Sequence, residues 1–380
     1  MKTSLNIFRA LAAAALALAS GMALAAGFGV LPDQLAHLFI GDGTVVLAMA
    51  TLATTHPTLL DLTSRLDKNG NVIPVIEMLN QTNEILDDAV WLEANELTGH
   101  TTSVRTGIPE PTWRKLYGGV QPTKSTSVKV REGLGMLENY AEVDKALADL
   151  NGNSAAWRLS EEAAIIEGFG QKLARYMIYG NEATEPEGFT GLAPRFADQS
   201  AVNGENILTS AATPDGTDNT SIWVVVWGPN TVHMTYPKGS QAGLQISDKG
   251  QVTIENVDGA GGRMEAYRTH YKWDCGMVVR DWRYVVRVNV DLEDIVASGA
   301  TGPVLRDLLA KAMRRIPNLN MGRPAIYMNR DALDAFDLQM NRDPLLQFRT
   351  QEEAQGKFVT RFRGVPIRRV DQILSTEAGI

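Results

Sequence analysis

Residues 99–127 read GHTTSVRTGIPEPTWRKLYGGVQPTKSTS, and the fold turns on what this stretch does. HTTSVRT (100–106) and KSTSVKV (124–130) are both β-prone and both polar, and they flank a Gly/Pro-rich tip, GIPEPTWRKLYGGVQP. The pattern predicts a long two-stranded excursion over residues 98–132 with almost no hydrophobic face. A lone hairpin of that kind is marginal in water, so something outside it must hold it down. One reading is a solvated surface loop. The other is an arm lying across a neighbouring copy of the chain. Under the second reading Trp113, Leu116 and Tyr117 are the anchors, with Arg114, Lys115 and Lys124 beside them as further inter-subunit contact candidates.

Downstream of the excursion two helices are expected. Met136, Tyr140, Val143, Leu147 and Leu150 share one helical face, and Asn151-Gly152 ends that run. A longer helix is expected over 161–179, with Ser160 as N-cap, Ile166, Phe169, Leu173 and Met177 as its apolar stripe and Gly180 as its stop. Gly168 and Gly170 inside it imply a bend or a close packing contact. The polar run 203–221 reads as a boundary. SIWVVVWG (221–228) then reads as a buried strand. MEAYRTHYKWDCG alternates in period two, placing Tyr267, Tyr271 and Trp273 on one face and Arg268, His270 and Lys272 on the other. A helix over 303–316, a strand and helix in PAIYMNRDALDAF, and two strands about Gly364 complete the pattern.

Upstream, residues 67–91 give a turn at Asn69-Gly70 and a helix-like stretch with Ile76, Leu79, Ile85 and Leu86 as its apolar positions; Asp67 and Asn69 lack the remaining ligands of a calcium loop. The start, MKTSLNIFRALAAAALALASGMALAAG, has the basic and apolar regions of an export signal, with Ala23-Leu24-Ala25 as its cleavage pattern. Beyond it the longest apolar run is too short to span a bilayer, so no membrane partner is expected.

With 44% hydrophobic and 21% charged residues, the body has the composition of an ordinary globular protein. A net charge of −8 disfavours bulk wrapping of phosphate backbones. One cysteine excludes an internal disulfide framework, and five scattered histidines have no metal-ligand spacing. The chain carries no Walker loop, no His-Glu-x-x-His pair and no Gly-x-Ser-x-Gly elbow. A Cys275/His270 nucleophile is disfavoured, because strand alternation puts the two on opposite faces. The basic-aromatic run 268–287 can be read as a single-strand nucleic-acid platform; the same alternation explains it as aromatics facing a core and cations facing solvent or a partner. No catalytic residue, cofactor or metal is expected.

The order of parts resembles the major capsid proteins of tailed bacteriophages. NQTNEILDD (80–88), the excursion itself, EVDKALADLNGN (142–153), GFTGLAPRF (188–196), DNTSIWVVVWGPNTVHMTYPKGSQAGLQ (218–245) and YRTHYKWDCGMVVRDWRYVVR (267–287) are similar to coat proteins of short-tailed and related phages. The resemblance implies an α+β chain of the Hong Kong 97-type capsid fold. Its parts would be an N-terminal arm over 49–97, an extended β-hairpin loop over 98–132 and a peripheral domain over 133–217 carrying the spine helix. A mixed α/β axial domain over 218–348 and closing strands over 349–380 would follow. It implies self-assembly through hexamers and pentamers into an icosahedral shell enclosing phage DNA, which is contacted only loosely. The expected location is the virion capsid, assembled in the host bacterial cytoplasm. Scaffold, portal and decoration proteins are candidate partners. Some relatives join subunits through lysine–asparagine bonds, but nothing in the sequence assigns that chemistry to Lys115 or Lys124. The competing reading takes the leader at face value: an exported β-rich envelope or binding protein with a self-associating arm.

The resemblance runs from about Met49 onward and leaves the signal-like stretch 1–48 uncovered. Initiation at Met49, or loss of the leader, is therefore expected. Intact-mass measurement on purified particles checks this, and a chain beginning at Met1 or Ala26 overturns initiation at Met49.

Overall fold

The computed structural model describes residues 81–149, 154–210, 216–256, 261–297, 304–342, 350–352 and 358–380. The readings of the leader, the Met49 start, the Asn69-Gly70 turn and most of the N-terminal arm lie outside them. In chain order the described elements begin with α1 (Ile85–Asp88), β1 (Trp91–Glu93), β2 (Gly99–Gly107), β3 (Thr126–Gly133) and β4 (Gly135–Asp144). Next come α2 (Lys145–Ala148), α3 (Ser154–Tyr179), α4 (Leu192–Arg195), β5 (Ile207–Thr209), β6 (Asn219–Trp227) and β7 (Val232–Tyr236). The series continues with β8 (Gln245–Glu255), β9 (Arg263–Val279), β10 (Val285–Asp291), α5 (Leu292–Ala297) and α6 (Leu305–Arg315). It closes with β11 (Arg323–Met328), α7 (Arg330–Arg342), β12 (Thr350–Glu352), β13 (Phe358–Phe362) and β14 (Val365–Arg369).

All nine residues of β6 are buried. β10 lies antiparallel on one side of it and β11 antiparallel on the other, so its backbone groups are paired along both edges. Because strand side chains alternate, β6 serves two cores at once. Trp223, Val225 and Trp227 pack with Leu173, Met177 and Ile178 of α3. Ile222, Val224 and Val226 pack with Leu309 and Met313 of α6 and Phe336 of α7. A strand buried on both faces has no polar alternation, which is why this segment is a continuous apolar run.

β9 is 17 residues long and supports the other half of the sheet. β4 and β8 flank its first part and β7 pairs with its end, all antiparallel. The two halves meet where Trp227 of β6 pairs with Val232 of β7.

Four sequence expectations change. The helix expected from Met136 is the strand β4, followed by the short α2. Met136, Glu138, Tyr140 and Glu142 stand opposite Asp274, Lys272, His270 and Arg268 of β9. Arg268 pairs with Glu142 at 2.5 Å, His270 meets Glu138 at 3.3 Å, and Tyr140 stacks on His270 with centroids 4.5 Å apart. Those cross-strand pairs outweigh the helical spacing of the apolar residues. The long helix begins at Ser154, not Glu161, so Ser160 lies inside it and is not its cap. Phe169, Leu173 and Met177 are buried, whereas Ile166 faces outward. Gly168 has open space where a Cβ would sit, and Gly170 only an ordinary contact with Leu86. Neither glycine marks a close approach.

The closing strands behave as read: β13 and β14 turn about Gly364, whose φ is +88°. Beyond them the chain returns to the sheet. Glu377 accepts hydrogen bonds from Tyr179 and Ser221, and from Arg287 Nη2 at 2.7 Å. Both members of this ion pair are nearly inaccessible, at 6% and 5% exposure. Burial and the Glu377 charge hold the Tyr179 hydroxyl protonated far above its ordinary range. The pair ties the tail to α3, β6 and β10 together. Replacing Glu377 with Ala strands the Arg287 guanidinium in the core, and such orphaned charges cost about 3–5 kcal/mol. Denaturant unfolding of the unassembled chain should show that loss.

Candidate assembly surface

β2 and β3 pair only with each other, from Gly99↔Gly133 to Gly107↔Thr126, forming a two-stranded sheet apart from the main one. From Arg105 outward, and along β3 to Arg131, nearly every residue is exposed. This ribbon contributes no buried residue to either large core.

Its two ends differ. At the root, Glu132 is 8% exposed and takes two hydrogen bonds from Arg195 of α4, at 2.7 and 2.6 Å. Arg195 also donates to the Gly191 and Thr190 carbonyls, so four of its five N–H donors are used. Glu96 accepts from Thr101 at 2.6 Å and from Arg131 at 3.0 Å, and these two bonds draw its carboxyl below the usual range. Gly276 of β9 lies under the root. A Cβ there would stand 2.7 Å from the Gly133 carbonyl and 2.6 Å from Leu134, so only glycine lets the ribbon sit down on the sheet.

At the tip nothing of the kind holds. Lys115 to Gly118 form a turn closed by the Gly118 N–H donating to the Lys115 carbonyl, with Tyr117 at φ +63°. Trp113 and Tyr117 are fully exposed and Leu116 is 90% exposed. Arg114, Lys115 and Lys124 are exposed as well, and none pairs with an acid among the described residues. The structure therefore brings Trp113 to Tyr117 together on one free turn, with Lys124 on the returning strand side.

The other candidates are accounted for within the protomer. Cys275 is 2% exposed, and burial pushes its thiol up to about 12, which makes it a packing residue and not a nucleophile. His270 lies on the opposite face of β9, which runs unbroken between the two. The cations of β9 are neutralised by neighbours: Arg268 by Glu142, and Lys272 by Asp274 at 3.0 Å. That leaves little free charge for a nucleic-acid platform. Among the described residues there is no three-member cluster of His, Cys, Asp or Glu fit for a metal, and no helix long and apolar enough to cross a membrane.

Two root features escape sequence reasoning. The Glu132–Arg195 clamp joins residues 63 apart. His233, 1% exposed on β7, meets His100 of β2 edge-on with ring centroids 5.7 Å apart. Burial first, then His100 and Arg280, lower the His233 pKa to about 4; the Gly228 carbonyl opposes this without the geometry of a full hydrogen bond. His100 is lowered too, by burial and then Arg280, against Glu96 and Glu132.

An α+β protomer whose root-clamped ribbon ends in a free apolar tip has the build of a shell subunit, and comparison with known proteins agrees. The family model for the major capsid protein GP7 matches residues 67–380. A chain of the bacteriophage Epsilon15 structure is 39% identical, over 87% of this chain and 99% of that one, with a TM-score of 0.69. A Mycobacterium phage Bobi structure (12% identity, 62% and 98% coverage, TM-score 0.38) and the bacteriophage JBD30 capsid (8%, 68% and 82%, 0.42) are too distant to carry weight. No curated protein matches the chain. The chain belongs to the GP7 family of major capsid proteins, and its fold is of the Hong Kong 97 type. It is a shell-forming coat protein; the exported envelope or binding protein is not favoured.

The histidine pair gives the root a pH dependence of definite sign. An unfolded histidine titrates near 6.5, whereas His233 in place titrates near 4. Above about pH 7 both states are largely neutral, so the titration of His233 adds little to the stability balance. As pH falls from about 6.5 towards 4, the unfolded chain takes up a proton that the folded chain refuses, so stability declines. Unfolding midpoints measured across that range should fall less steeply for His233→Leu than for the natural chain, with no difference in slope above pH 7.

Proposed function

We propose that the ribbon over 98–132 is the device by which each coat subunit holds its neighbour, with Trp113, Leu116 and Tyr117 as apolar anchors. Arg114, Lys115 and Lys124 contact the same neighbour. The supporting observation is the full exposure of three large apolar side chains on a ribbon with no core of its own. Burying three such side chains is worth on the order of 5–8 kcal/mol before the cost of ordering them. That is ample for a weak contact repeated around hexamers and pentamers.

The division proposed from sequence also stands as our reading. Residues 49–97 are an N-terminal arm, 133–217 a peripheral domain with α3 as its spine, 218–348 an axial domain and 349–380 the closing strands. The two cores that share β6 support it, one built around α3 and one around α6 and α7. The subunit is non-catalytic and is assembled in the host cytoplasm. Its net charge of −8 suits a wall that encloses DNA and grips it loosely. Scaffold, portal and decoration proteins remain partners by family likeness.

Changing Trp113, Leu116 and Tyr117 together to Ser should leave the unassembled chain's unfolding transition unchanged and sharply reduce particle yield in electron micrographs. Equal loss of folding and assembly would show that the tip belongs to the protomer's own core.

A further inference from the structure

The tip needs a receptor, and one surface of the chain has the matching shape and charge. Beside the foot of the ribbon, between β4, α3 and the loop after α3, lies a cavity of about 220 Å³. Leu137, Leu173, Phe189 and Cys275 are among its lining residues, so its wall is mainly apolar, and Met136 beside it is 70% exposed. An apolar cavity of about 150 Å³ already accepts a benzene ring. This one has room for one large aromatic side chain and not for the whole turn.

The edge carries charge of one sign to spare. Glu185 and Glu187 belong to the lining, are exposed, and have no ion-pair partner among the described residues. Lys172 also lines the cavity, with Nζ 5.0 Å from the Tyr176 ring centroid, so the lining carries two acids against one cation. The free tip has the complement: Trp113 directly followed by Arg114 and Lys115, also unpaired.

A chain's own tip cannot fill its own cavity. Gly135 and Met136 line the cavity and stand at the ribbon's foot. The nine residues of β2 carry the tip outward by about 3.3 Å each, some 30 Å in all. β-pairing through Gly107↔Thr126 keeps the ribbon extended over that length.

We infer that this cavity is the socket for the arm of a second copy: the Trp113 ring fills it while Arg114 and Lys115 pair with Glu185 and Glu187 at its edge. The inference rests on the reading of the tip as an inter-subunit contact and adds where it lands. The four charged residues are exposed, so changing them leaves the protomer core untouched.

The test uses the full chain with particle yield as readout. Arg114→Glu with Lys115→Glu should lower the yield at least about tenfold, as should Glu185→Lys with Glu187→Lys, because each sets like charges face to face. Combining all four should restore yield to within about threefold of the natural chain. In parallel, in a Cys275→Ser chain, which removes the native thiol from the cavity wall, Trp113→Cys with Met136→Cys should give disulfide-linked chains on oxidation, while neither single substitution does. A combined variant as defective as its parents, together with no cross-link, would place the tip elsewhere and overturn the socket. Unimpaired assembly of the triple-serine tip variant would instead remove the tip contact itself, so the two failures are distinguishable.

Discussion

Everything in the protomer is referred to one strand that has no exposed face. β6 is bonded on both edges and packed on both sides, so neither core can shift without moving the other. Burying nine consecutive residues leaves no freedom of register, since a slip by one would exchange the two tryptophans and Val225 for Ile222, Val224 and Val226 across the sheet. The α3 side and the α6–α7 side are thereby held at a fixed separation. A closed lattice requires this, because angular error in one subunit is passed to the next.

Against that rigid plate the ribbon is an asymmetric lever. Its root is tied by the Glu132–Arg195 fork, by Glu96 and by the close seat at Gly276. Its tip is tied to no other element among the described residues. The arrangement separates direction from capture: the sheet aims the arm, and the apolar turn at its end does the binding. The buried His233, set against the half-buried His100, puts a titratable joint beneath the same lever.

How much of this can be read from residues alone depends on how local its cause is. β6 is legible because double-sided burial writes itself as an unbroken apolar run. The alternation of β9 is legible because one face is core and the other is paired charge, and the Gly364 turn because its φ is positive. The excursion is legible as a ribbon, since the polarity of both its strands is a local fact. β4 is not: Met136, Tyr140, Val143 and Leu147 happen to fall at helical spacing, and what makes the segment a strand is a row of partners on β9, with Arg268 lying 126 positions beyond Glu142. The root clamp and the histidine pair are invisible for the same reason. The candidate contact residues at the tip follow from sequence as a group. The apolar recess beside Glu185 does not, because strand, helix and loop must come together to make it.

The tail has a consequence for how copies are made. Arg287 is charged and buried, and the carboxylate that neutralises it belongs to Glu377, translated ninety residues later. Until that point emerges from the ribosome the central sheet carries a cation without its carboxylate and is destabilised by it. A message broken upstream of codon 377 yields polypeptides without that carboxylate, whose central sheet is weakened by the same unpaired charge.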